Sequence, residues 1–171
     1  MRYTHQYAEL QRELHARNVG YGASGHKHAQ HVIEIAKRME TREILDYGCG
    51  QMTLQKAIPF PITNYDPFIH GSEDEPEPHD LVVCSDVLEH IEPACILPVI
   101  QHLAAKTKKM LFVDVAQHPA AKFLADGRNA HILVKSTSWW IEQLAPYFNV
   151  QSLQSYPGGF VAAFTPVGDS A

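Results

Sequence analysis

At 171 residues, with 45% apolar and 19% charged side chains, the chain has the composition of one globular domain and is too short for two ordinary ones. A formal charge of −5 disfavours non-specific grip on nucleic-acid phosphates. Neither an apolar run of about 18 residues nor a charged-then-apolar start is present, so no membrane span or secretion signal is expected and the default location is cytoplasmic. Cys49, Cys84 and Cys95 are widely spaced and fit reduced, buried thiols better than a disulfide frame or a zinc knuckle.

In chain order, residues 1–23 mix Tyr, His, Gln and Arg in a polar, mildly helical stretch that reads as an arm or lid. Residues 24–165 form the main domain, and 166–171 a frayed tail. Ser24 is placed to cap a helix whose Ala29, Val32, Ile33 and Ala36 follow the i, i+3, i+4, i+7 rule. Glu43 to Met52 then begins as an apolar strand and breaks at Gly48-Cys49-Gly50, directly after Asp46 and just before a short helix that ends ahead of Pro59. Glycines there let backbone N–H groups approach a ligand, and the helix start offers unpaired donors. A second strand around Ile62 to Tyr65 ends at Asp66-Pro67, where Asp66 lies at the spacing at which dinucleotide-type sites place an acid for both ribose hydroxyls.

Between Asp66 and Asp80 the chain is short and acidic, leaving no room for a helix and another strand. An exposed loop in place of the usual third strand is expected. Asp80 to Cys84 reads as a strand buried on both faces, followed by Ser85-Asp86-Val87-Leu88-Glu89-His90. A helix carrying Ile96, Val99, Ile100 and Leu103 begins near Ile96, with Pro93 in an earlier turn. Lys109 to Val115 is the next strand, 117–131 an irregular connection of the kind that carries function, and Thr137 to Tyr147 a helix with Trp140, Ile141, Leu144 and Ala145 inward. Phe148 to Tyr156 and Phe160 to Thr165, joined through Pro157-Gly158-Gly159, must pair antiparallel.

The order of these features, with LDYGCG, then YDP, then DLVVCSDVLEHIEP, resembles the Rossmann-like (class I) S-adenosylmethionine-dependent methyltransferases, and within them a compact group with a Leu-Glu-His signature after the fourth strand. The resemblance implies an α/β three-layer sandwich: a mostly parallel sheet of about six strands, the usual third one missing, closed by a C-terminal antiparallel hairpin. It implies S-adenosyl-L-methionine as cofactor. Asp46, Gly48, Cys49 and Gly50 would sit by its methionine part, Asp66 and Pro67 by the ribose, Phe68 by adenine, Ser85 and Asp86 at the border of the two, and Tyr21 would close over it from the arm. Where the family pattern continues to a third glycine, this chain has Met52.

Methyl transfer from a sulfonium needs alignment first and a modest base only for some acceptors. His90 and His131 are the candidates for that base, with an orienting hydrogen bond as the alternative for each. His26, His28 and His31 invite a metal reading, but no carboxylate stands at matching spacing and no metal is expected. After the fourth strand the chain lacks both an Asn/Asp-Pro-Pro-Tyr/Phe pattern and a Pro-Cys nucleophile. The expected acceptor is therefore the oxygen or nitrogen of a small molecule, with nucleic acid disfavoured and a homodimer an allowed assembly. The competing reading is a catalytically silent methyltransferase-like protein that binds cofactor or a partner.

Overall fold

The computed structural model describes residues 1–18 and 20–168; Val19 and the last three positions of the tail lie outside the described residues. Helices α1 (His5–Arg17) and α2 (Ala29–Arg38) precede β1 (Ile44–Tyr47), the one-turn α3 (Thr53–Ala57) and β2 (Thr63–Tyr65). Then follow β3 (His79–Ser85), α4 (Ile96–Lys106), β4 (Thr107–Ala116), α5 (Thr137–Leu144), β5 (Phe148–Tyr156) and β6 (Gly159–Pro166). The six strands form one sheet in the order β2-β1-β3-β4-β6-β5. β1 runs parallel to β2 and β3, and β3 parallel to β4; β6 lies antiparallel to both β4 and β5. The acidic segment after β2 contributes no strand, as its length requires.

Strand alternation builds the three layers. Leu45 and Tyr47, Val82 and Cys84, and Leu111 and Val113 face one side, where Val99, Ile100 and Leu103 of α4 and Trp140 and Leu144 of α5 cover them. Ile44, Leu81, Val83 and Phe112 face the other, under Ala29, Val32 and Ala36 of α2 and Leu54 of α3. The three cysteines are buried and unbridged. Pro98 is the third residue of α4, in the first turn, where its missing N–H removes no helix bond.

Several local expectations are corrected. Ser24 does not cap α2: a 3-10 turn, Gly25–His28, precedes that helix, and the Ser24 hydroxyl donates to Asp86 Oδ2 at 2.8 Å. Helix α5 ends at Leu144, and Ala145 faces solvent, because the chain turns at once into β5. The arm contains a full helix, α1, started by Thr4, whose side chain accepts from Tyr7 N–H. It packs Tyr7 and Leu14 against Leu124 and Ala130 of the connection after β4, forming a third small core over the end of the sheet. At the chain's other end Val167 N–H donates to Tyr147 O at 2.8 Å.

Candidate active site

A cleft opens at the carboxyl ends of β1, β2 and β3, where a doubly wound sheet leaves room for a ligand. Gly48, Gly50, Asp66, Asp86 and His90 line it from the sheet, and Tyr7, Gln11, His15 and Tyr21 from the arm. Phe68, Val87, Ile91 and Val99 supply apolar wall. Of the residues expected from sequence, Tyr21, Gly48, Gly50, Asp66, Pro67, Phe68, Asp86 and His90 therefore meet in one cavity. Asp46, Cys49, Ser85 and His131 are not part of its lining.

The glycine turn works differently from expectation. Its N–H groups are occupied by the chain itself: Gly48 and Cys49 donate to Tyr65 O, Gly50 to Asp66 Oδ2 at 3.2 Å, and Gln51 to Gly22 O. Helix α3 is a single turn entered through Met52 in the left-handed region. The glycines are required instead by packing. A Cβ on Gly48 (φ +80) would stand 2.3 Å from Val87 Cγ2, and one on Gly50 (φ +49) 2.5 Å from Gly22 O. The arm thus docks backbone to backbone on the turn.

Asp66 is nearly buried, with Oδ1 accepting from Phe68 N–H at 2.9 Å and Oδ2 from Gly50. Burial raises its carboxyl, against the pull of those N–H groups and of His15. Asp46 is 4% exposed and, among the described residues, its carboxyl has no hydrogen-bond partner; burial first, and the field of Asp66 second, push that carboxyl up to about 7. A cationic ammonium group beside it would favour the ionised form. Burial likewise pushes the Cys49 thiol up to about 12, which suits a packing role. Ser85 is buried with its Oγ unpartnered.

Beyond β3, Asp86 sits in a left-handed conformation (φ 59) that a non-glycine residue adopts at a cost. His90 Nδ1 lies 2.8 Å from Ala130 O and 3.1 Å from Tyr21 Oη; because a carbonyl only accepts, Nδ1 carries the proton and Nε2 the lone pair. Burial dominates its titration and lowers it to about 4 against the opposing field of Asp86. His131 Nδ1 is likewise 2.6 Å from His118 O. Both Nε2 atoms turn toward Asp86 Oδ1, at 4.0 Å from His90 and 3.9 Å from His131.

Apart from Tyr21, the arm residues are not legible in the sequence. Tyr7, Gln11 and Leu14 fall at i, i+4 and i+7 and are all buried, a signal that the polar identity of Gln11 obscures. Their role is to tie α1 to the cleft: Tyr7 Oη donates to His90 O, Gln11 Nε2 donates to Tyr7 Oη, and Tyr21 Oη donates to Gln11 Oε1 at 3.0 Å. Glu92 accepts from Thr4 N–H and Oγ1. The histidines of α2 also have a different partner from any on their own helix. His28 Nε2 meets Asp114 Oδ2 of β4 at 2.8 Å, while Tyr156 Oη donates to Asp114 Oδ1.

Among the described residues no helix is long and apolar enough to cross a membrane. The family model for a methyltransferase domain matches residues 3–156. No curated protein matches the chain. Among solved structures it is similar to 1,6-didemethyltoxoflavin-N1-methyltransferase of Burkholderia thailandensis, with a TM-score of 0.67 at 14% identity over 96% of this chain and 90% of that one. A DhpI-SAH complex gives 0.62 at 17% identity over 95% and 98%. Magnesium protoporphyrin IX methyltransferase of Synechocystis PCC 6803 gives 0.59 at 15% identity over 87% of each chain. With a family match spanning most of its length and structural similarity over nearly the whole chain, it belongs to the methyltransferase-domain family and has the class I, S-adenosylmethionine-dependent fold.

Proposed function

We propose that this methyltransferase transfers the methyl group of S-adenosylmethionine to an oxygen or nitrogen of a small molecule. The observation that carries the reading is the cleft itself: a roofed, largely apolar space closed on one side by α1, with Asp66 and Asp86 on its floor. The residues suit the cofactor. Asp66 keeps lone pairs for two hydroxyls, Phe68 offers an apolar face, and Asp46 is a buried carboxylate without a hydrogen-bond partner among the described residues. When bound, the cofactor supplies an activated methyl group on a sulfonium.

What the chain contributes is position. Tyr21, Gln11 and Tyr7 hold the arm against His90, excluding water from the cleft, and His90 and His131 present Nε2 lone pairs beside Asp86 for binding the acceptor. A roof anchored by backbone contacts and a charge of −5 favour a compact acceptor over nucleic acid. The solved relatives include enzymes named for small acceptors, which supports the same class.

Calorimetric titration with S-adenosylhomocysteine tests the shared premise, and no detectable binding would sink it. Release of S-adenosylhomocysteine from pools of small hydroxyl and amino compounds then separates a working enzyme from a silent binder. Binding without turnover on any pool would favour the silent one.

A further inference from the structure

Three acceptor atoms gather at the border of the cleft, two of them on residues that line it, Asp86 and His90. His90 Nε2, His131 Nε2 and one Asp86 carboxylate oxygen lie within 4.8 Å of one another. Each imidazole is fixed by an Nδ1–H bond to a backbone carbonyl, Ala130 O for His90 and His118 O for His131, so both Nε2 lone pairs point inward. Asp86 gives Oδ2 to the Ser24 hydroxyl and leaves Oδ1 for the same centre. The two rings stand nearly perpendicular, with centroids 4.7 Å apart, and both bring Nε2 to within about 4 Å of Asp86 Oδ1. Glu89, next to His90 in sequence, is fully buried with Oε2 unpartnered.

Carboxylate and imidazole lone pairs left facing one another repel, and a cation removes that repulsion. We propose that Asp86, His90 and His131 form a binding site for one divalent first-row transition ion. The set is two neutral imidazoles and a carboxylate, each with an outer partner that orients it, as metal ligands generally have. Bonds of about 2.1 Å place donor atoms about 3.0 to 3.4 Å apart. The observed 3.9 and 4.0 Å therefore need a contraction of about 0.5 to 1 Å, which rotation at Asp86, whose side chain is 34% exposed, can supply, and the two imidazoles, with ligand atoms within 4.8 Å, must also draw together.

This departs from the sequence expectation of no metal, and from the His26, His28 and His31 group that suggested one. Three protein ligands leave coordination positions open, and Asp86 and His90 both line the cleft. On the methyl-transfer reading, on which only this role rests, the ion would hold an acceptor oxygen and lower the pKa of its hydroxyl. The two histidines would then serve as ligands and could not also accept a proton.

The test is metal binding to the full chain without cofactor. After treatment with EDTA and its removal, Co2+ is titrated by visible absorbance and Zn2+ by calorimetry. One saturable equivalent is expected, with affinity reduced at least tenfold in Asp86→Asn and in His131→Ala, and unchanged in the surface variant His31→Ala. Circular dichroism melts identify any variant that fails to fold, and His131→Gln then replaces it. Absence of saturable binding, equal binding by folded Asp86→Asn and His131→Ala, or loss of binding in His31→Ala would each overturn the site. None of these outcomes depends on S-adenosylmethionine, so a failure here is distinct from a failure of the methyl-transfer reading.

Discussion

The glycine turn after β1 and the Asp86 to His90 segment after β3 sit on the same edge of the sheet and are built on opposite terms. In the turn, Gly48, Cys49, Gly50 and Gln51 give their N–H groups to Tyr65, Asp66 and Gly22, so its own polar groups are satisfied before any ligand arrives. Beyond β3, a carboxylate oxygen of Asp86 lies within 4.8 Å of one nitrogen each from His90 and, from the connection after β4, His131. The turn consequently holds β2 and the arm in register through shape, whereas the later segment gathers acceptor atoms.

The largest expected effect tests the shape argument. Gly50→Ala sets a Cβ against the Gly22 backbone in a left-handed conformation, which should destabilise the protein by about 3 kcal/mol, read as a fall in the urea midpoint. Gly48→Ala should cost a similar amount, about 2 to 3 kcal/mol, but there the obstacle is the Val87 side chain. Adding Val87→Ala to Gly48→Ala should recover part of the loss, a coupling that no substitution at Gly22 can supply for Gly50. If the Gly48 pair proves strictly additive, the packing account of that glycine is wrong.

Charge at the strand ends is tested next. Asp66→Ala should weaken S-adenosylhomocysteine by about 1.5 to 3 kcal/mol in calorimetry, since hydrogen bonds to a charged group are removed; the melting temperature of the apo protein gives the control for folding. Asp46 predicts a pH slope. Its carboxyl moves from 3.8 to about 7 on folding, so the folded chain binds that proton more tightly. The stabilisation is complete below the unfolded value and is lost as pH rises from 3.8 to about 7. Denaturant titrations of the apo protein across that range should show the fall, and Asp46→Asn should flatten it. An unchanged slope in the variant would assign it to other groups, His15 and Asp66 first.

The smallest effect is at Met52, whose φ of 54 puts a side chain where the backbone favours glycine. Met52→Gly relieves strain of about 1 kcal/mol and adds unfolded-state entropy of similar size. The midpoint should therefore shift by less than about 1 kcal/mol in either direction. A loss of several times that would show that the Met52 side chain packs in a way the turn geometry does not require.

How much was legible follows from the range of each interaction. The strand spans, the missing third strand and the antiparallel ending all follow from local period and loop length, because a segment of given length either can or cannot hold a helix and a crossover. Asp66 was legible for the same reason, being tied to the turn by a short connection. The lining from α1 was not, since the buried stripe of Tyr7, Gln11 and Leu14 includes a glutamine whose partners, Tyr7 and Tyr21, depend on how the arm folds back.

The histidines separate the two kinds of information most clearly. The sequence alone determined the residues available: His90 in a turn after a buried strand, His131 at the end of a long connection, and His28 one turn from His31 on a helix. Tertiary structure decided their partners. It brought Asp114 from β4 to His28, and it laid the 117–131 connection across the sheet so that His131 came to face Asp86 alongside His90. The physical reason is that pattern within an element is set by backbone period, whereas a meeting of lone pairs from three segments depends on loop path, and no local signal encodes that.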